Sequence, residues 1–159
     1  MIKKLKDFFR KAKIDVSLFP KFNFRGNFKG LIVGVGAGII HRDKRRRSNL
    51  EGMCIGFGSY IQGTVNGINA AVSEPTSINL NGASFGLIGS EVYGTLNGFS
   101  YGTFRNKAKR NGRIAIQVSF GYNEITEYNP DGVVIQVGAY CKAGDKETAI
   151  FNIRGIFGE

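Results

Sequence analysis

The sequence predicts an all-β protein: an antiparallel up-and-down meander or closed barrel of about eight to nine glycine-rich strands behind a short amphipathic helix. Three observations carry the prediction. A glycine-marked phrase recurs along the chain, as "KGLIVGVG", "EGMCIGFG", "NGINAAVS", "NGASFGLI", "NGFSYGTF", "GRIAIQVSF" and "DGVVIQVGA". Inside each unit, large apolar residues alternate with small or weakly polar ones at a period of two, because successive side chains of a strand leave opposite faces. The chain holds 23 glycines, 3 prolines and no tryptophan in 159 residues, a glycine content that disfavours helix.

The first element is the exception. Residues 1–13 place Ile2, Leu5, Phe8, Phe9 and Ala12 on one helical stripe and surround it with lysine and arginine. Such a helix suits an anionic membrane interface, with Ile2, Leu5, Phe8 and Phe9 facing the membrane, or it covers a core or plugs a barrel mouth. Residues 14–159 form the second unit, the repetitive β domain. Strands are expected near 14–24, 30–41, 50–61, 65–73, 78–88, 93–104, 113–122, 132–141 and 148–157. Gly52, Gly67, Gly82, Gly98 and Gly112 open successive units at spacings of 15, 15, 16 and 14.

Each unit has two unlike faces. One carries large apolar residues such as Met53, Ile55 and Phe57; the other carries Gly, Ala and Ser, as at Cys54, Gly56 and Gly58. Between Gly52 and Phe104 the only ionised side chains are Glu74 and Glu91. The small face fits the concave side of a coiled sheet, or close packing against another layer or subunit. In Leu80-Asn81-Gly82-Ala83 and Leu96-Asn97-Gly98-Phe99, apolar residues three apart share a face only if the chain kinks at Asn-Gly, where positive φ costs little. The rival is a two-residue hairpin turn at each Asn-Gly. "SEPTS", "GSEVYG", "RNKAKRNG" and "YNEITEYNPDG" make better turns, which favours the kink and gives one bent strand per unit. The alternative architecture is a β-solenoid of roughly 15-residue coils; "GLIVGVGAGIIHR" and "RIAIQVSFGYN" look too long for its sides.

The phrase Asn-Gly-apolar-x-apolar-Gly-apolar, over roughly residues 28–140, resembles the glycine-rich units of a class of bacterial surface-repeat proteins. The resemblance implies repetitive β structure and no activity for particular residues.

The net charge of +10 favours an acidic partner. In a meander, bends alternate between two ends. One end gathers Arg42, Lys44, Arg45, Arg46, Arg47, Arg105, Lys107, Lys109, Arg110, Lys142 and Lys146 against four carboxylates, a net +7. The other holds Glu91, Glu124, Glu127 and Asp131, a net −4. The helix adds Lys3, Lys4, Lys6, Arg10, Lys11 and Lys13 to the basic pole.

Catalytic and metal constellations are not found. His41 is the only histidine, and Cys54 and Cys141 match no metal spacing and read as buried thiols of a reducing compartment. "VGVGAG" (33–38) lacks the Gly-Lys-Ser/Thr ending of a phosphate loop. Glu124 and Glu127 lie in a turn with no sign of the burial an acid/base pair needs. "FPKFNFRGNFK" interleaves aromatic and basic residues, as a base-stacking surface does, but suits a first strand better. No cofactor or small-molecule substrate is implied. No h-region or small-residue cleavage site follows the basic start, so the expected location is cytoplasmic, at the periphery of a membrane. The expected function is non-enzymatic docking on an anionic surface through the basic pole and helix, with homo-oligomerisation because both sheet faces lack charge. The alternatives are nucleic-acid binding through residues 42–47 and 105–113, and a membrane-inserted barrel or pore.

Overall fold

The computed structural model describes residues 14–16, 21–22, 28–40 and 49–155. Ten strands follow one another, and no helix occurs among the described residues: β1 (Ile14–Val16), β2 (Lys21–Phe22), β3 (Phe28–Ile40), β4 (Leu50–Ala71), β5 (Pro75–Gly86), β6 (Gly89–Gly102), β7 (Arg105–Val118), β8 (Tyr122–Glu127), β9 (Val133–Ala143) and β10 (Lys146–Arg154). From β1 to β9 every pairing is parallel, and from β3 onward each residue lies beside its counterpart one coil away. Only β10 turns back, antiparallel to β9. The fold is therefore a β-solenoid of about five turns. The expected antiparallel meander or barrel is corrected, and with it the membrane-inserted barrel. The expected helix over 1–13 lies outside the described residues.

The strands that looked too long for a solenoid side do not stay on one side. β4 alone runs for 22 residues, more than one full coil. Three bends per coil let it turn the corners while its ladder hydrogen bonds continue. One bend is the glycine that opens each unit: Gly30, Gly52, Gly67, Gly82 and Gly98 stack directly over one another with φ between +135° and +143°. The Asn-Gly steps are thus kinks within continuous strands and not hairpin turns, but the shared face expected for their apolar neighbours is corrected: Leu80 and Leu96 are buried inside, whereas Ala83 and Phe99 stand on the outer side. A second bend is the register irregularity that follows Ile61, Ser77 and Val92. There Asn49 and Asn79 accept from the backbone N–H of Thr64 (3.0 Å) and Thr95 (2.9 Å) one coil on, so the irregularity leaves those donors paired. The third bend lies at 72–74, 87–88, 103–104 and 120–121. The segments read as turns, "GSEVYG" and "RNKAKRNG", belong to strands β6 and β7.

Inside the coil, three columns meet. Two are largely apolar: Ile61, Ser77, Val92, Ala108 and Ile125 in one, Leu50, Val65, Leu80 and Leu96 in the other. The third comes from the small face of the repeat and is polar: Asn69, Ser84, Ser100, Gln117, Gln136 and Asn152, all at most 2 % exposed. Its members are hydrogen-bonded across the interior or along the column, with Asn152 Oδ1 left without a partner among the described residues. Ser59 donates to Asn69, Ser90 to Ser84 (2.7 Å) and Ser100 to Asn106 (3.1 Å); Gln136 donates to Gln117 (2.8 Å) and Asn152 to Gln136 (2.9 Å). Interior size follows coil length. The offset between stacked residues grows from 15 at Gly67/Gly82 to 16 at Gly82/Gly98, 17 at Gly98/Ala115 and 19 at Ala115/Val134. Ser84 and Ser100 stand where the offset is 15 to 17 and Gln117 and Gln136 where it reaches 17 to 19, while Asn69, in a 15-residue coil, bonds the small Ser59; both keep the interior packed.

The two ends of the stack are treated differently. At one end β1 and β2 add short parallel strands to β3. At the other, β10 carries an irregularity between Thr148 and Ile150, where Ile150 adopts φ +70°. A bulge with a β-branched residue at positive φ twists an edge away from further pairing.

Candidate functional site

Two outer surfaces follow from the coil. The side made by residues 105–110, 122–127 and 140–147 is charged. Because equivalent positions stack in register, it forms ladders: Thr76, Glu91, Lys107, Glu124, Lys142 and Glu147 occupy one column, alternating in sign from Glu91 onward. Lys107 lies 3.7 Å from Glu124, and Lys142 2.7 Å from Glu147. A neighbouring column pairs Arg110 with Glu127 at 2.8 Å, and Lys109 joins the same carboxylate at 3.5 Å. Arg105 makes a bidentate contact to Glu74, at 3.0 and 2.8 Å. Tyr122 stacks on Tyr140 at 5.2 Å, with Lys107 over the Tyr122 ring. The hydrogen bond from Arg110 holds the Glu127 carboxyl below its ordinary range, and those from Lys142 and Tyr140 do the same for Glu147. Opposite charges facing one another across strands favour this register, and in solvent each pair contributes little to stability.

This arrangement corrects the expected basic pole. Arg105, Lys107, Lys109 and Arg110 belong to a strand, not a turn; Lys107, Lys109 and Arg110 face Glu124 and Glu127, which are expected at the opposite end, while Arg105 faces Glu74, expected at the same end. In a parallel stack all equivalent positions lie on one side, so cations and carboxylates interleave instead of separating. The remaining predicted site residues, Lys3, Lys4, Lys6, Arg10, Lys11, Lys13, Arg42, Lys44, Arg45, Arg46 and Arg47, with the stripe Ile2, Leu5, Phe8 and Phe9, lie outside the described residues.

Charge nevertheless divides along the sequence. Residues 49–155 hold eight Lys/Arg and eight Asp/Glu, a net of zero. Residues 1–48 hold fourteen Lys/Arg against three Asp/Glu, a net of +11, and Glu159 brings the chain to +10. The cationic surplus belongs to the stretch that precedes β4, whose described strands β1, β2 and β3 form one end of the stack.

The second surface is apolar. The large residues of the repeat point outward, the reverse of the usual burial, because the interior of so short a coil holds mainly the small alternate set. Leu31, Met53, Ile68, Ala83, Phe99 and Ile116 form one outer column, continued by Ile135 and Ile153. Phe57, Leu87 and Phe120 stand on a third row and are 62 %, 62 % and 77 % exposed. Where Ala70 falls between the bulkier Ile55 and Phe85, the surface dips into a depression of about 460 Å³, edged by Leu87 and Tyr101.

Among the described residues no group of three or more His, Cys, Asp or Glu is placed to hold a metal ion. Cys54 and Cys141 are free and buried; burial pushes the Cys54 thiol up to about 11 and raises that of Cys141. Glycines 34 and 36 of "VGVGAG" lie within strand β3 and pair with Gly56 and Gly58. Glu124 and Glu127 are engaged by Lys107 and Arg110. No described helix is long and apolar enough to cross a membrane. Comparison with protein-family models, curated proteins and solved structures returns no match.

Proposed function

We propose that this protein is a non-enzymatic β-solenoid scaffold that docks an anionic membrane face through its cationic N-terminal end. The observation that supports the reading is the partition of charge: a neutral coil body over 49–155 and a net +11 over residues 1–48. A coil stack converts sequence position into height along its axis. The chain that carries the surplus is covalently joined to β1, β2 and β3, and in sequence its segment 1–13 holds the stripe Ile2, Leu5, Phe8 and Phe9. Lys107 and Arg110 already engage carboxylates of the coil body, so the reading assigns contact with an external anion to the net cationic charge before β4.

Flotation with phosphatidylserine-containing vesicles tests this. Each Lys or Arg near such a surface contributes about 1 kcal/mol, so Arg45→Gln, Arg46→Gln and Arg47→Gln together are expected to weaken binding roughly a hundredfold. Lys107→Gln with Arg110→Gln is expected to leave binding within about threefold. No flotation of the intact chain, or tighter binding to duplex DNA than to the vesicles, contradicts the reading.

A further inference from the structure

We infer that the apolar side of the coil is the interface between two copies of this chain, packed face to face with their solenoid axes antiparallel. The first argument is extent. The side is crossed by eight rungs, contributed by β3, two passes of β4, β5, β6, β7, β9 and β10. At about 4.8 Å between rungs and about 3.3 Å per residue over some five residues, it measures about 34 by 17 Å, on the order of 600 Å². That is the upper end of what a monomer leaves exposed, and two copies together would bury about 1,200 Å², the lower end of stable interfaces.

The second argument is chemistry. Residues 31–35, 53–57, 68–72, 83–87, 99–103, 116–120 and 133–139 place no ionisable group on this side other than the Tyr101 phenol. Burying it therefore leaves no unpaired charge, the term that most opposes association. The third is relief. Rows repeat at one spacing on both copies, and a two-fold pairing sets protruding rows against recessed ones. The depression at Ala70 is a recess edged by Leu87, and Phe57 and Leu87 are protruding, exposed side chains of this side. The fourth is electrostatic and fixes the direction. The coil body is neutral over 49–155, whereas the stretch before β4 carries +11. Antiparallel axes put the two cationic ends at opposite extremities, farther apart than the Debye length of about 8 Å, while parallel axes would place them side by side.

The inference is independent of docking on an anionic membrane, and its test contains no anionic lipid. The intact chain is expected to sediment as a dimer at micromolar concentration. Phe57→Lys with Leu87→Lys, both at exposed positions, is expected to weaken dimerisation at least about a hundredfold while the circular dichroism spectrum stays that of the parent. Thr126→Lys, an exposed substitution on the charged side, is expected to remain dimeric. Crosslinks joining the β3 end of one copy to the β10 end of the other are expected. A monomeric intact chain, a dimer that survives the double substitution, open-ended filaments, or crosslinks joining the two β3 ends would each overturn the inference. So would a monomer that floats with uncharged phosphatidylcholine vesicles, which would assign the face to lipid.

Discussion

Replacing Gly82 by alanine is expected to cost about 4 kcal/mol or more, a large share of the roughly 5–15 kcal/mol that holds a domain together. Two effects add. At φ +140° an L side chain is strained, which by itself costs about 1–3 kcal/mol. A Cβ there would also lie 2.0 Å from the carbonyl oxygen of Gly67, one coil away. The obstacle is backbone on both sides, so relief requires the coils to part and their ladder bonds to lengthen. For a chain of this size the melting temperature is expected to fall by roughly 8–16 °C. Gly58→Ala is the control. A Cβ at Gly58 meets only the Ser73 hydroxyl, at 3.5 Å, and the cost is expected to stay below about 1 kcal/mol. Equal losses at the two glycines, measured by thermal and urea unfolding, would remove the stacked corner from the account.

Asn106→Leu is expected to cost about 3–5 kcal/mol, through lost hydrogen bonds and not lost packing. Asn106 is fully buried; it donates to Val118 O at 2.8 Å and to Asn123 Oδ1 at 2.8 Å, and accepts from Ser100 at 3.1 Å. Leucine has similar bulk but strands three polar partners inside the coil, each at about 1–3 kcal/mol before relaxation. The exposed ladder supplies the contrast. Asn81 donates to Asn66 at 2.9 Å in solvent, and Asn81→Ala is expected to cost no more than about 1 kcal/mol. A coupling energy of at least about 0.5 kcal/mol between Asn106→Ala and Asn123→Ala, from a double-mutant cycle, is expected for residues in one buried network. Strict additivity would say that the two side chains do not share it.

Much of this architecture was legible in the residues. The alternation in "EGMCIGFG" gives strand, and the Asn-Gly step marks a kink at Gly82 with the positive φ that the structure has, although Leu80 turns inward and Ala83 outward instead of sharing a face. Strand direction was not legible from alternation, because a period of two is the same in parallel and antiparallel sheets. The discriminating signal was the spacing of 15, 15 and 16 between Gly52, Gly67, Gly82 and Gly98, which is a coil length. It was outweighed by runs such as "GLIVGVGAGIIHR", whose strand passes through a corner instead of ending there. The same misreading split Glu91 and Lys107 between opposite ends. Once the coil period is applied, their separation of 16 residues, and that of 17 between Lys107 and Glu124, make them rung neighbours. The outward apolar face was visible as the large residue set. Its side was hidden by the ordinary rule that large residues go inside, which fails where Ser84 and Ser100 are all that a short coil accommodates.

The account rests on each coil lying directly over the last. Distances between pairs of spin labels on the charged column test this most directly, with one label at Tyr60 and the other in turn at Glu91, Lys107, Glu124 and Lys142. The coil stack predicts a steady rise of about 4.8 Å per position, reaching a backbone separation of about 24 Å at Lys142. Separations that alternate between near and far, with Glu91 and Glu124 at one end of the molecule and Lys107 and Lys142 at the other, would contradict it.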